Sequence, residues 1–198
     1  MWWRNSQYGT LTLQGSTIKG NEYCGINNHG TMKIYNSKIT NNDGEGIRNY
    51  GTMKVYNSKI TNNNGSGIYD DGALFIQNST ITKNTALGGG GGIFCAGGNM
   101  TLNNVIIANN TATLSGGGIE CDDKSKFTIQ NSTITMNIAG SEGGGIYNEG
   151  IITLYTSEIT LNIASGGGGI WNCGILNSDK ESFVKDNKPD DIFQYKPS

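Results

Sequence analysis

Proline occurs only 2 times in 198 residues and histidine once, at His29. Scarce proline excludes a collagen-like chain and argues against a proline-rich disordered one. Charged residues make up 15% of the chain and the formal net charge is -2. That is too little charge for a strong electrostatic hold on nucleic acid or an anionic membrane, so no nucleic-acid partner is expected. No segment approaches the roughly 18 consecutive apolar residues of a membrane-spanning helix. The opening MWWRNSQYGT has no apolar leader core either. The expectation is a soluble chain that stays where it is made or is a processed or partial piece of an exported protein. The four cysteines lack zinc-ligand spacing, and the GGxGxD calcium pattern is missing, so neither metal nor cofactor is expected.

Glycine, by contrast, is abundant at 31 residues, and it falls in step with a repeat. TMKIYNSKITNN from Thr31 to Asn42 and TMKVYNSKITNN from Thr52 to Asn63 differ only at Ile34 and Val55, 21 positions apart. Alignment on this stretch gives eight units, beginning near Gly9, Gly30, Gly51, Gly72, Gly98, Lys124, Gly150 and Gly174. Each opens with a short apolar alternation, such as Met32-Lys33-Ile34 or Phe127-Thr128-Ile129, with the period of two that a half-buried strand requires. An isolated aliphatic follows, at Ile18, Ile39, Ile60, Ile81, Ile107, Ile134 and Ile159, and marks a second strand. Gly-Ile then recurs from Gly25-Ile26 to Gly169-Ile170 and opens a third.

Three short strands in units of 21–27 residues, with no spacing of 3.6, predict an all-β, single-stranded parallel β-helix of about eight coils. One coil cannot bury its isoleucines alone; stacking aligns them into a dry column. The boundaries read as an N-terminal cap over 1–8, the β-helix over 9–187 and a C-terminal cap or tail over 188–198. Trp2 and Trp3 would cover the first coil or offer a sticky end, and KDNKPDDIF suits a polar cap over the last.

Asparagine recurs three residues after the second-strand isoleucine, at Asn21, Asn42, Asn63, Asn84, Asn110, Asn137 and Asn162. Stacked amides can donate and accept along the rod, so this column reads as a structural ladder. A second inward column is Asn28, Asn49, Asp70, Cys95, Cys121, Asn148 and Asn172. Cys95 and Cys121 are neighbours in it, close enough for a disulfide and equally suited to remain buried thiols.

The GGGI and IxxN elements of units four to seven resemble the GGA(I/L/V) and FxxN repeats of the polymorphic outer membrane proteins, with Gly in place of Ala and Ile in place of Phe. The whole chain is similar, more loosely, to adhesin-like right-handed parallel β-helix proteins of microbial surfaces. That resemblance implies a right-handed coil, an extracellular or cell-surface location and a binding role. Parallel crossover connections favour the same hand.

Several features compete as functional sites. The residue after each Gly-Ile pair faces outward, and at Tyr69, Phe94, Tyr147 and Trp171 it is aromatic, a row able to stack on sugars or dock a protein. The bland alternative is that glycine-rich turns cover these rings or that they only brace the sheet. Asp70, Asp71, Glu120, Asp122, Asp123 and Glu149 fall near one edge and read as a solvated acidic rim, or as paired carboxylates to hold calcium or do acid-base work. His29 reads as an exposed corner residue without catalytic partners, and no residue is assigned as catalytic. Lys33 over Lys54 and Lys38 over Lys59 stack like charges, as a solvated face or an anionic-polymer site. Threonine rows are too interrupted for an ice-binding plane.

The function expected is a non-enzymatic, adhesin-like β-helix that presents a repetitive face to a glycan or protein partner. The alternatives are a carbohydrate-active β-helix enzyme, either a polysaccharide lyase or a glycoside hydrolase, and a self-assembling structural rod.

Overall fold

The computed structural model describes residues 6–195, so Trp2, Trp3 and the ends of both expected caps lie outside the described residues. Within that span the chain winds as stacked parallel strands, with no helix among the described residues. Strand pairing begins at Ser6–Gln7 and continues to Ile192–Gln194.

Two sheets run the length of the solenoid. The first has nine strands, from Ser6–Gln7 through Ile26–Asn28, Ile47–Asn49, Ile68–Asp70 and onward to Ile192–Gln194. The second has 14 strands and holds both the opening strand of each coil, such as Thr31–Tyr35, and the strand after it, such as Lys38–Thr40. Eight opening strands follow one another in this sheet, matching the eight coils read from the repeat. In coils four and five the two strands fuse into Ala73–Thr82 and Asn99–Ala108. Every pairing is parallel and joins equivalent repeat positions, for example Met32 with Met53 and Ile39 with Ile60.

Register places like on like, and that is what forms the core. Ile39, Ile60, Ile81, Ile107, Ile134 and Ile159 form one buried column and Ile47, Ile68, Ile93, Ile119, Ile146 and Ile170 another. Full burial of such a side chain contributes about 1.5–3 kcal/mol, and it is reached only when a coil has neighbours on both sides. The end coils show this directly, since Leu13, Ile18, Leu176 and Val184 remain only partly buried.

Corners are made by left-handed residues. Asn36, Asn57, Asn78, Asn104 and Asn131, with φ between 48° and 54°, bend the chain after the opening strand. Asparagine tolerates this region better than other residues with side chains. The serine that follows turns inward: Ser37 N–H donates to Ser58 Oγ at 3.1 Å and Ser58 N–H to Ser79 Oγ at 3.0 Å. This serine ladder was not among the sequence expectations, although the repeated Asn-Ser pair is its signature.

The asparagine ladder forms as expected. Asn137 Nδ2 donates to Asn162 Oδ1 and to the Ile107 carbonyl, each at 3.0 Å, while its Oδ1 accepts from Asn110 N and Nδ2, also at 3.0 Å. Because every amide donates toward the C-terminal end, the last member needs an acceptor, and Asp191 Oδ1 receives Asn187 N and Nδ2 at 2.9 and 3.0 Å.

The second column is also buried, but it is interrupted. Asn28 donates to Asn49 at 2.7 Å, Asn49 to Asp70 at 2.6 Å, and Asn148 to Asn172 at 2.6 Å. Between these runs stand Cys95 and Cys121, both buried and free in the structure. A thiol does not continue an amide chain, so Asp70 Oδ2 and Asn148 Oδ1 are buried without a hydrogen-bond partner. Burial pushes the Cys95 thiol up to about 11 and the Cys121 thiol up to about 12.

Candidate functional site

The outward row of the nine-stranded sheet is Asn27, Arg48, Tyr69, Phe94, Glu120, Tyr147, Trp171 and Phe193, each paired in register with the next. Tyr69 and Phe94 stack at 5.5 Å between ring centroids and 9° between planes, and Trp171 and Phe193 at 4.0 Å and 15°. Tyr69, Phe94, Tyr147 and Trp171 therefore share one face as expected, but they are half-buried rather than open.

The long turns account for this burial. Thr85–Ala86, Thr111–Ala112 and Ile138–Ala139 pair into a small third sheet, and the glycines after them lean back onto the row. Gly90 has φ 62°, and a Cβ there would lie 2.5 Å from the Phe94 Cα. A Cβ on Gly166 would lie 2.7 Å from the Trp171 ring. These glycines are needed for close approach as much as for turning.

Two shallow clefts remain along the row. One, of about 420 Å³, lies between Arg48, Tyr69 and Phe94 on its floor and Leu87, Gly88 and Gly89 on its wall. Arg48 is held there by Glu45 at 2.8 Å. The other, of about 460 Å³, is lined by Tyr147, Trp171, Glu142, Glu149, Cys173 and Tyr195. Tyr147 donates its hydroxyl hydrogen to Glu149 at 2.9 Å; burial and then that bond raise the phenol above its ordinary range.

Glu120 separates the clefts, in register between Phe94 and Tyr147. Its carboxyl packs under the turn at Gly89, and Oε2 is buried without a hydrogen-bond partner. Burial first, then the charges of Asp122 and Glu149, push this carboxyl up to about 7, against the opposing pull of the Gly90 N–H. Asp122 is raised as well, by burial and by Glu149, Asp123 and Asp71.

The expected acidic rim thus divides. Asp71, Asp123 and Glu149 are exposed, while Asp70 lies wholly inside the rod as a member of the second ladder. Burial pushes Asp70 up to about 7. Parity explains the split: Asp70 sits two residues after Ile68 and shares its inward direction, and Asp71 begins the corner. Among the described residues, no group of three or more His, Cys, Asp or Glu side chains is arranged to hold a metal ion.

His29 departs from its expected setting. It is half-buried and stacked between Tyr8 at 4.9 Å and Tyr50 at 4.8 Å, with interplanar angles of 11° and 12°. Tyr50 meets Tyr69 at 5.8 Å, so aromatic contact continues from the corner onto the sheet face. The signal in the sequence was an aromatic residue at the same corner position of consecutive coils.

A family model described as "Right handed beta helix region" matches residues 2–188. The chain belongs to the right-handed β-helix family. Searches of curated proteins and of solved structures give no match. Membership in this family specifies the winding and its hand; function must be argued from the surface.

Proposed function

We propose that this right-handed β-helix is a non-enzymatic, adhesin-like binding rod, extracellular or at a cell surface, whose nine-stranded face takes a glycan. The observation that carries the reading is the aromatic row with a cleft on either side of Glu120. Rings of Tyr69, Phe94, Tyr147 and Trp171 offer apolar faces and edges for sugar C–H groups, while Arg48, Asn64, Glu142 and Glu149 supply polar contacts at the rims. Resemblance of the GGGI and IxxN repeats to those of polymorphic outer membrane proteins supports the surface location. The test is a glycan array probed with the native rod and with the Tyr69→Ala, Phe94→Ala, Tyr147→Ala, Trp171→Ala variant. Binding that the variant loses supports the site. Equal silence of both rods removes it for those sugars and moves a protein partner forward.

A second reading is favoured by Glu120. A carboxyl pushed up to about 7 remains partly protonated at neutral pH and can give a proton to a leaving oxygen, with Asp122 and Glu149 beside it. On that reading the rod is a carbohydrate-active enzyme. Release of reducing ends from a polysaccharide bound by the native protein, abolished in Glu120→Gln, would replace the binding-rod reading.

A further inference from the structure

The second sheet carries a charge pattern that the aromatic face does not use. In coils two and three, Lys33 pairs in register with Lys54 and Lys38 with Lys59, and all four are exposed. Lys19, in the coil before, is exposed beside them and pairs with Thr40. Among the described residues none of these lysines forms an ion pair, and the strands Thr31–Tyr35, Lys38–Thr40, Thr52–Tyr56 and Lys59–Thr61 contain no acidic residue. From Lys19 to Asn63 the chain holds only three acidic residues, Glu22, Asp43 and Glu45, the last of them paired with Arg48, whereas from Asn64 to Asp123 the only basic residue is Lys83, against Asp70, Asp71, Glu120, Asp122 and Asp123. The rod is therefore polarised despite a net charge of -2.

The two lysine columns flank the bend at Asn36 and Asn57. At its crest Tyr35 and Tyr56 stack at 5.0 Å and 6°. Like charges directly opposite on adjacent strands are destabilising, and here the repeat writes the repulsion twice. An anion spanning the rungs would relieve it.

We propose that this ridge is a second binding site, for an anionic polysaccharide carrying sulfate or carboxylate groups, laid along the rod axis. Adjacent lysines stand one rung apart, about 4.8 Å, close to the rise per sugar of an extended pyranose chain. Charged groups on successive sugars can thus meet successive lysines on both flanks. Tyr35 and Tyr56 stack on each other without a gap for an inserted base, which favours a polymer read by charge over one read by base stacking. Pairing with the acidic rim of a second copy is the weaker competitor, since exposed ion pairs contribute little each, whereas a polymer releases its condensed counterions. The site is independent of the aromatic row.

The test measures binding of the purified chain to immobilised heparin and to polygalacturonate, with neutral dextran and single-stranded poly(dT) as comparators, over a salt series. Four neutralised charges on a polymer as dense as a nucleic-acid strand give a log–log salt slope of about -3, roughly a 50-fold loss of affinity from 50 to 200 mM salt. Stronger retention on heparin assigns sulfate, and stronger retention on polygalacturonate assigns carboxylate. The Lys33→Gln, Lys38→Gln, Lys54→Gln, Lys59→Gln variant should lose nearly all salt-sensitive binding with an unchanged circular dichroism spectrum. The matching Lys→Arg variant should keep it, as should the quadruple aromatic variant. The proposal is overturned if the Gln variant binds like the native chain, if neither polysaccharide binds at low salt, if poly(dT) binds more tightly than both, or if the chain only self-associates.

Discussion

Asn137 offers the sharpest test of how the rod is held together. It is fully buried in the middle of the amide ladder, and its side chain takes part in four hydrogen bonds of 3.0 Å. Asn137→Leu keeps the branched shape but is bulkier and can neither donate nor accept, so it opens no cavity and the loss combines the missing polar partners with some overpacking. The Asn110 N–H and the Ile107 carbonyl then lose a partner inside the rod, and the Asn110 Nδ2 keeps only its bond to the Ile81 carbonyl at 2.9 Å. At about 1–3 kcal/mol for each buried group left unsatisfied, the expected destabilisation is about 3–5 kcal/mol. Exposed Asn64, whose amide reaches Asp43 only at 3.4 Å, supplies the control; Asn64→Ala should change stability by less than about 0.5 kcal/mol. Urea unfolding followed by circular dichroism measures both, and with slopes of about 1–3 kcal/mol/M the Asn137→Leu midpoint should fall by roughly 1 M or more. A loss below about 1 kcal/mol at unchanged slope would refute the ladder as a principal support.

Other expectations follow from the corners, the second column and the thiols. Met136 and Leu161 occupy left-handed corners with φ 55° and 58° and are 49% and 48% exposed, where coils two and three use Asn41 and Asn62. Met136→Asn and Leu161→Asn should each add about 1 kcal/mol, read as a higher urea midpoint; a fall would show that the apolar side chains matter more than the backbone. Asp70 is pushed up to about 7 from an ordinary carboxyl value near 4. The native state therefore holds a proton that the unfolded state has lost, and stability declines as pH rises through this interval. Asp70→Asn should accordingly match the native chain near pH 4 and exceed it at pH 8, on the order of 2–4 kcal/mol; a constant difference across pH would exclude this account. Ellman's reagent at pH 8 should label exposed Cys173 rapidly and reach buried Cys95 and Cys121 only in denaturant, and rapid labelling of all thiols would contradict their burial.

The sequence by itself determined the winding. A duplicated twelve-residue stretch, a strict period of two around each aliphatic and an asparagine at a fixed offset leave only one way to bury the isoleucines, which is to stack like upon like. For the same reason both inward ladders were legible: parity along a strand decides which side chains point inward. Tertiary structure alone decided what happens at corners and between turns and faces, where parity stops. It inserted His29 between two tyrosine rings. It turned the Asn-Ser pair into a bend plus a hydroxyl ladder, and it folded the long glycine turns against Phe94, Glu120 and Trp171. Those outcomes depend on how far a turn leans and which coil lies above it, distances in space that a one-dimensional period does not encode.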